Sequence, residues 1–401
     1  MKGIILVGGA VGGNYTGGNN GRYPEIDIIK GIAIILVVLG HTFPPFREFI
    51  YLFHMSVFLM ASGYCWKSDK IKKYSDLIPF VIKKLKSLYV PFVICNASFV
   101  LLNNWFVRLN IYSNDVVFLK MTSGSVYPQH LTPLLNLPGL IKELIKVFLG
   151  IGVTPLGSAT WFLIGLLQVL IIHAVLQLII NMVQKKTKIL IYIGVMFLLI
   201  ILMCVVPYTE LRVEVRRFPC LYFAFFLGIL IKKIELNNVC VTRDIYNKLG
   251  IITSIVILFF MTKIGNIEVS AARIVNPFFF AVCSIAGWVL LMAIGKELCR
   301  MKSVHCFQRS LCYLGQHTMV ILCLHLLAFK IVSLMYILIN NEPRVLLASF
   351  HVIFNIPWYY LMGYTIVGIT VPLMIECFYQ KIKNSVVATF GSDPVKDMWI
   401  H

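Results

Sequence analysis

The chain has 401 residues, of which 59% are hydrophobic and only 13% charged, and its mean hydropathy is +0.85. A soluble protein of this length carries roughly 25% charged residues to solvate its surface, so lipid must replace water over much of this one. A soluble enzyme, a disordered scaffold and a disulfide-stapled secreted domain are thereby excluded. The predicted fold is all-α: a polytopic membrane bundle of about ten transmembrane helices.

In chain order, residues 1–21 contain eight glycines and lead into no βαβ unit, which predicts a flexible tail. Stretches long and apolar enough to span follow at about 26–43, 49–66, 88–107, 158–183, 189–206, 218–231, 249–264, 276–294, 314–339 and 358–379. Between the third and fourth, residues 138–149 show helical periodicity with Lys142, Glu143 and Lys146 on one side, as in an interfacial helix. An apolar stretch at 345–356 is an eleventh, re-entrant element or the first half of the tenth helix, with a break at Pro357.

The 36 Lys and Arg outnumber the 17 Asp and Glu, giving +19. Most fall in loops on the side of the amino terminus, which predicts that both termini are cytoplasmic. This bias explains the net charge without a nucleic-acid partner. The 11 cysteines form no C-x-x-C pair and no zinc-ligand spacing, so no metal site is expected.

The first predicted span carries Asp27, Lys30 and His41. Eleven steps at 100° bring His41 to within about 20° of Lys30, roughly 16 Å further along the helix, and Asp27 lies on the neighbouring part of that face. Ionisable groups in a span are costly and normally face a partner or a cavity. Two readings remain open from position alone: an interfacial Asp27–Lys30 pair with His41 at the opposite boundary, or a functional stripe. His54, which enters the second span from the His41 side, weighs towards the second.

The motifs Asp27-x-x-Lys30-Gly31, Val37-Val38-x-Gly40-His41, Phe53-His54-Met55 and Ser62-Gly63-Tyr64 resemble the opening of the acyltransferase-3 family of integral membrane O-acyltransferases. The variant here is most similar to the branch that includes fucose 4-O-acetylase-like proteins. Trp161-Phe162-Leu163, Arg217-Phe218-Pro219 before Gly228, and Leu314-Gly315 before Leu324-His325 extend the resemblance along most of the chain. It implies a membrane acyltransferase domain over residues 22–383, a cytoplasmic tail over 384–401 and residence in the plasma (inner) membrane.

The resemblance also implies acetyl transfer from cytoplasmic acyl-CoA, acetyl-CoA above all, to hydroxyls of a glycan or lipid-linked oligosaccharide. In the family a basic residue, commonly Arg, stands eleven positions before a histidine and both are needed. Here these are Lys30 and His41, and Lys lacks the planar fork of Arg.

A neutral imidazole can take the proton of a sugar hydroxyl as it attacks a thioester, so His41 is the candidate general base, with Lys30, Asp27 and His54 around it. His54 either orients His41 or binds the acceptor. Lys83, Lys84 and Lys86 either hold CoA phosphates or mark topology. Tyr64 and Trp161 either line the cavity or belong to an aromatic belt. Arg216 and Arg217 lie against the charge bias, which suits an anionic glycan or a lipid phosphate. His173, His325 and His351 are single histidines in apolar surroundings and fit packing roles. The rival class, a transporter or flippase, normally needs buried carboxylates and paired repeats, and only Asp27 and Glu376 are acidic within predicted spans.

Overall fold

The computed structural model describes residues 23–123, 131–237 and 248–390. The glycine-rich segment 1–21 and the last part of the predicted tail, 391–401, lie outside the described residues. Among the described residues all regular structure is helical, with only the isolated bridges Ser113–Leu131 and Glu268–Arg273.

Sixteen α-helices are described: α1 (Pro24–Gly40), α2 (Arg47–Tyr51), α3 (His54–Tyr64), α4 (Tyr74–Lys84), α5 (Val90–Leu101), α6 (Asn103–Arg108), α7 (Val116–Ser123) and α8 (Leu137–Phe148), then α9 (Trp161–Met182), α10 (Lys185–Val205), α11 (Val213–Asn237), α12 (Lys248–Ile264), α13 (Pro277–Arg300), α14 (His305–Gln316), α15 (Thr318–Asn340) and α16 (Trp358–Phe390). Among the described residues, five stretches are long and apolar enough to cross a membrane: Ser158–Met182, Lys186–Tyr208, Pro277–Arg300, Thr318–Asn340 and Trp358–Ser385.

Helix α1 is the axis of the bundle. Pro24 opens it in the first turn, where a missing N–H costs nothing. Ile26, Ile29, Ala33, Ile34, Val37 and Val38 are buried along it. Gly31 meets Gly315 where α1 crosses α14; a Cβ on Gly31 would collide with the Leu311 carbonyl, and one on Gly315 with the Asp27 carbonyl. The same device recurs at the crossing of α3 and α11, where Gly63 faces the Phe225 carbonyl and Gly228 the Met60 carbonyl. Small residues let backbones approach closely where lipid supplies no hydrophobic drive for association.

Several predicted spans differ in form. The second, 49–66, is broken into α2 and α3 at Leu52 and Phe53. The third starts earlier, in α4, and reaches α5 through a π-helical turn, Leu85–Tyr89, beside Pro91. Pro91 has no N–H to donate, and a wider turn accommodates that loss. The ninth divides at His317 between α14 and α15. Residues 345–356 contain no α-helix: a 3₁₀ turn, Arg344–Ala348, gives way to irregular chain up to Pro357, after which α16 begins. Helix α16 continues through the predicted domain boundary at 383 to Phe390.

The amphipathic segment forms as α8, capped by Asn136, whose side chain accepts from the Gly139 N–H at 3.0 Å. Its Ile141, Ile145 and Phe148 are exposed, an apolar face suited to lipid, while Lys146 and Glu143 form a 2.6 Å pair on the other side.

Candidate functional site

Two cavities open at the two ends of α1. The first encloses about 470 Å³. Asp27, Lys30, Lys67 and Gln316 line its polar part, and Ile34, Val37, Phe58, Phe162, Leu163 and Leu322 its apolar part. Asp27 accepts a 3.0 Å hydrogen bond from the Gln316 amide. Among the described residues no carboxylate lies within ion-pair distance of Lys30. The simple interfacial pair of Asp27 with Lys30 is therefore not formed, and the Lys30 ammonium is available to a ligand.

The second cavity is a cleft of about 930 Å³. His41, the residue that follows α1, lines it together with Arg47, Tyr51, Trp161, Arg216, Arg217 and His351. Counting along the helix places His41 about 16 Å from Lys30. Lys30 on α1 thus contributes a cation to one cavity, and His41, directly after the helix, an imidazole to the other.

The surroundings of His41 come from distant parts of the chain. Its ring centroid lies 4.7 Å from that of His351 and 5.2 Å from that of His325. His325 is fully buried; its Nδ1 lies 2.9 Å from the Ile321 carbonyl, while Nε2 has no hydrogen-bond partner. A carbonyl can only accept, so Nδ1 carries the proton and Nε2 the lone pair. Among the described residues His41 makes no side-chain hydrogen bond. Phe43, two residues on, has φ +56°, a strained region for a bulky side chain. Its ring packs against His351 and Phe354, and Arg47 stacks over it at 4.6 Å.

His351 reaches this position because its loop is clamped from below. The buried Lys330 donates to the carbonyls of Leu347 (2.9 Å) and Ser349 (2.7 Å). Tyr364 pairs with Ser333 at 2.8 Å and accepts from the Ile353 N–H at 3.3 Å. A charged donor bonded to two carbonyls satisfies backbone groups that irregular chain would otherwise bury unpaired. Among the described residues, no group of three or more His, Cys, Asp or Glu is placed to hold a metal ion.

The remaining sequence-predicted residues divide. Trp161, Arg216 and Arg217 line the cleft, with the Arg217 guanidinium 4.4 Å over the Trp161 ring. His54 does not line it; buried against Tyr51 (4.8 Å), it binds the Ile50 carbonyl through Nδ1 at 2.8 Å, at the break between α2 and α3. Tyr51 in turn packs on Gly40, next to His41, so His54 supports the site from behind. Tyr64 lines neither cavity and donates to Glu235 at 2.7 Å. Lys83, Lys84 and Lys86 also lie outside the Lys30 cavity. Lys84 rests by the Phe80 ring.

Sequence reasoning missed His325, His351, Arg47, Lys67 and Gln316. A family model described as an acyltransferase domain matches residues 23–377. The chain belongs to the acyltransferase-3 family. The matched range takes in every residue that lines the two cavities. The family and the apolar helices make the chain a membrane protein. Nodulation protein NolL of Sinorhizobium fredii is 40% identical over 65 residues, covering 13% of this chain and 18% of NolL. No solved structure matches the chain.

Proposed function

We propose that this acyltransferase-3 member moves an acyl group, acetyl in the simplest case, from acyl-CoA in the Lys30 cavity to a glycan hydroxyl in the His41 cleft. The observation that carries this reading is that Lys30 on α1 lines one cavity while His41, directly after α1, lines the other. The narrower, largely apolar cavity suits a pantetheine arm. Lys30 and Lys67 at its polar part suit the CoA phosphates as point charges. The wider cleft, with Trp161 on its wall, suits a sugar ring that stacks on an aromatic face.

In the reaction, neutral His41 takes the proton of the acceptor hydroxyl as its oxygen attacks the thioester carbonyl carbon. The C–S bond then breaks, and the CoA sulfur leaves with the proton returned by the imidazolium. His325 and His351 hold the His41 ring between them, and His54 supports the adjoining turn through Tyr51.

The acceptor is a cell-surface or lipid-linked glycan, in keeping with the fucose 4-O-acetylase-like variant of the opening motifs. The proposed setting is a bacterial plasma membrane, with about ten spans, both termini cytoplasmic and the Lys30 cavity facing the CoA pool. The test is transfer of labelled acetyl from acetyl-CoA to membrane glycan. His41→Ala is expected to lower the rate by about 10²- to 10⁴-fold. Transfer unchanged in that variant contradicts the mechanism, and movement of unmodified glycan without transfer favours a carrier.

A further inference from the structure

We propose that the acceptor is anionic, and that a phosphate or carboxylate on it is held by the arginines of the His41 cleft. This rests on the acyl-transfer reading and adds the charge class of its acceptor.

The cleft holds six cations, but two are already answered: Lys146 by Glu143 at 2.6 Å and Arg273 by Glu268 at 3.5 Å. Arg47, Arg212, Arg216 and Arg217 remain, with Glu214 the one further carboxylate lining the cleft among the described residues. A desolvated guanidinium nitrogen without an acceptor is unfavourable, yet Nε of Arg47 and Nε of Arg216 are both buried with no hydrogen-bond partner. Arg217 is 6% exposed and has a single long bond, 3.4 Å, to the Ser270 carbonyl. The two Nε–H donors are unsatisfied by the protein, and all three side chains border a space large enough for a ligand.

The choice of side chain points the same way. All four are Arg, whose planar fork pairs with phosphate or carboxylate through parallel hydrogen bonds, where Lys offers only a point charge. Arg217 lies over one face of the Trp161 ring, so a sugar bound beside that indole would have a guanidinium next to it for its anionic substituent. Arg47 brings the same charge to the His41 turn.

The test uses membranes carrying the full-length protein, labelled acetyl-CoA and the native membrane glycan. Labelled product is passed over an anion exchanger before and after mild acid, which cleaves a sugar–pyrophosphate–lipid linkage. Retention on the exchanger is expected. Retention lost after mild acid assigns the charge to a lipid phosphate, and retention that survives assigns it to a carboxylate or phosphate ester on the glycan itself. Arg216→Gln and, separately, Arg47→Gln should each raise the acceptor KM about tenfold, with the KM for acetyl-CoA unchanged.

A neutral labelled product overturns this proposal alone, as does an unchanged acceptor KM in both variants. Complete absence of labelled product overturns the acyl-transfer reading, and the proposal with it.

Discussion

The cavity at Lys30 and the cleft at His41 share one helix but differ in almost every physical respect. The first is about half the volume of the second and mostly apolar, with Asp27, Lys30 and Lys67 its charged lining residues. The second is lined by arginines, glutamates, an indole and imidazoles. On the proposed reading the smaller space takes the long thioester arm, and the larger one, with more charged side chains on its wall, takes a ring with many hydroxyls. On the same reading α1 stands between donor and acceptor, and each prediction below probes one side of it.

The largest effect after loss of His41 is expected at Lys30. Lys30→Met should cut transfer at least about tenfold through the KM for acetyl-CoA, because a charged hydrogen bond is worth about 1.5–3 kcal/mol. Lys30→Arg should retain most activity if the cavity needs only positive charge. Equal rates in the two variants would remove Lys30 from the donor side. Gly315→Ala comes next, since its Cβ would collide with the Asp27 carbonyl. Overpacking of this kind costs about 1–3 kcal/mol, visible as a lower Tm in detergent, and the shift of α1 against α14 should weaken acetyl-CoA more than acceptor.

A smaller and one-sided loss is expected from Lys330→Met. It frees the carbonyls of Leu347 and Ser349, so the loop carrying His351 should loosen and kcat fall about three- to tenfold, equivalent to about 1 kcal/mol, while the KM for acetyl-CoA stays unchanged. Smallest of all should be Lys83→Gln with Lys84→Gln and Lys86→Gln. None of the three lines the donor cavity, and the KM for acetyl-CoA should change by less than about threefold, as for screened surface charge. A tenfold rise would extend the donor site to α4.

How legible this was depended on the range of the contacts. Local periodicity alone places Lys30 and His41 on one stripe of α1, and the same reasoning finds α8 with Glu143 and Lys146 on its polar side. Gly31 is likewise recognisable as a close-approach residue, although its partner Gly315 is not. What escaped was everything that depends on chain returning from afar. His325 and His351 each read as a lone histidine in apolar sequence, because nothing local reveals that both rings end beside His41.

For residues 345–356 a re-entrant element and the first half of the tenth helix both stay open in the sequence, because hydropathy does not report where backbone carbonyls find donors. Here the donor is Lys330, a cation within a span, and its ammonium stabilises irregular chain at that depth. Similarly, the break between α2 and α3 is invisible in an apolar run, since His54 repairs it through a bond to Ile50.

The central claim is that donor and acceptor approach α1 from opposite sides. The direct measurement is made in sealed proteoliposomes with the chain inserted in one known orientation, acceptor on the His41 side and labelled acetyl-CoA confined to either face. Acetyl-CoA on the Lys30 side alone should yield labelled glycan. Product formed just as fast from acetyl-CoA restricted to the His41 side would contradict the account.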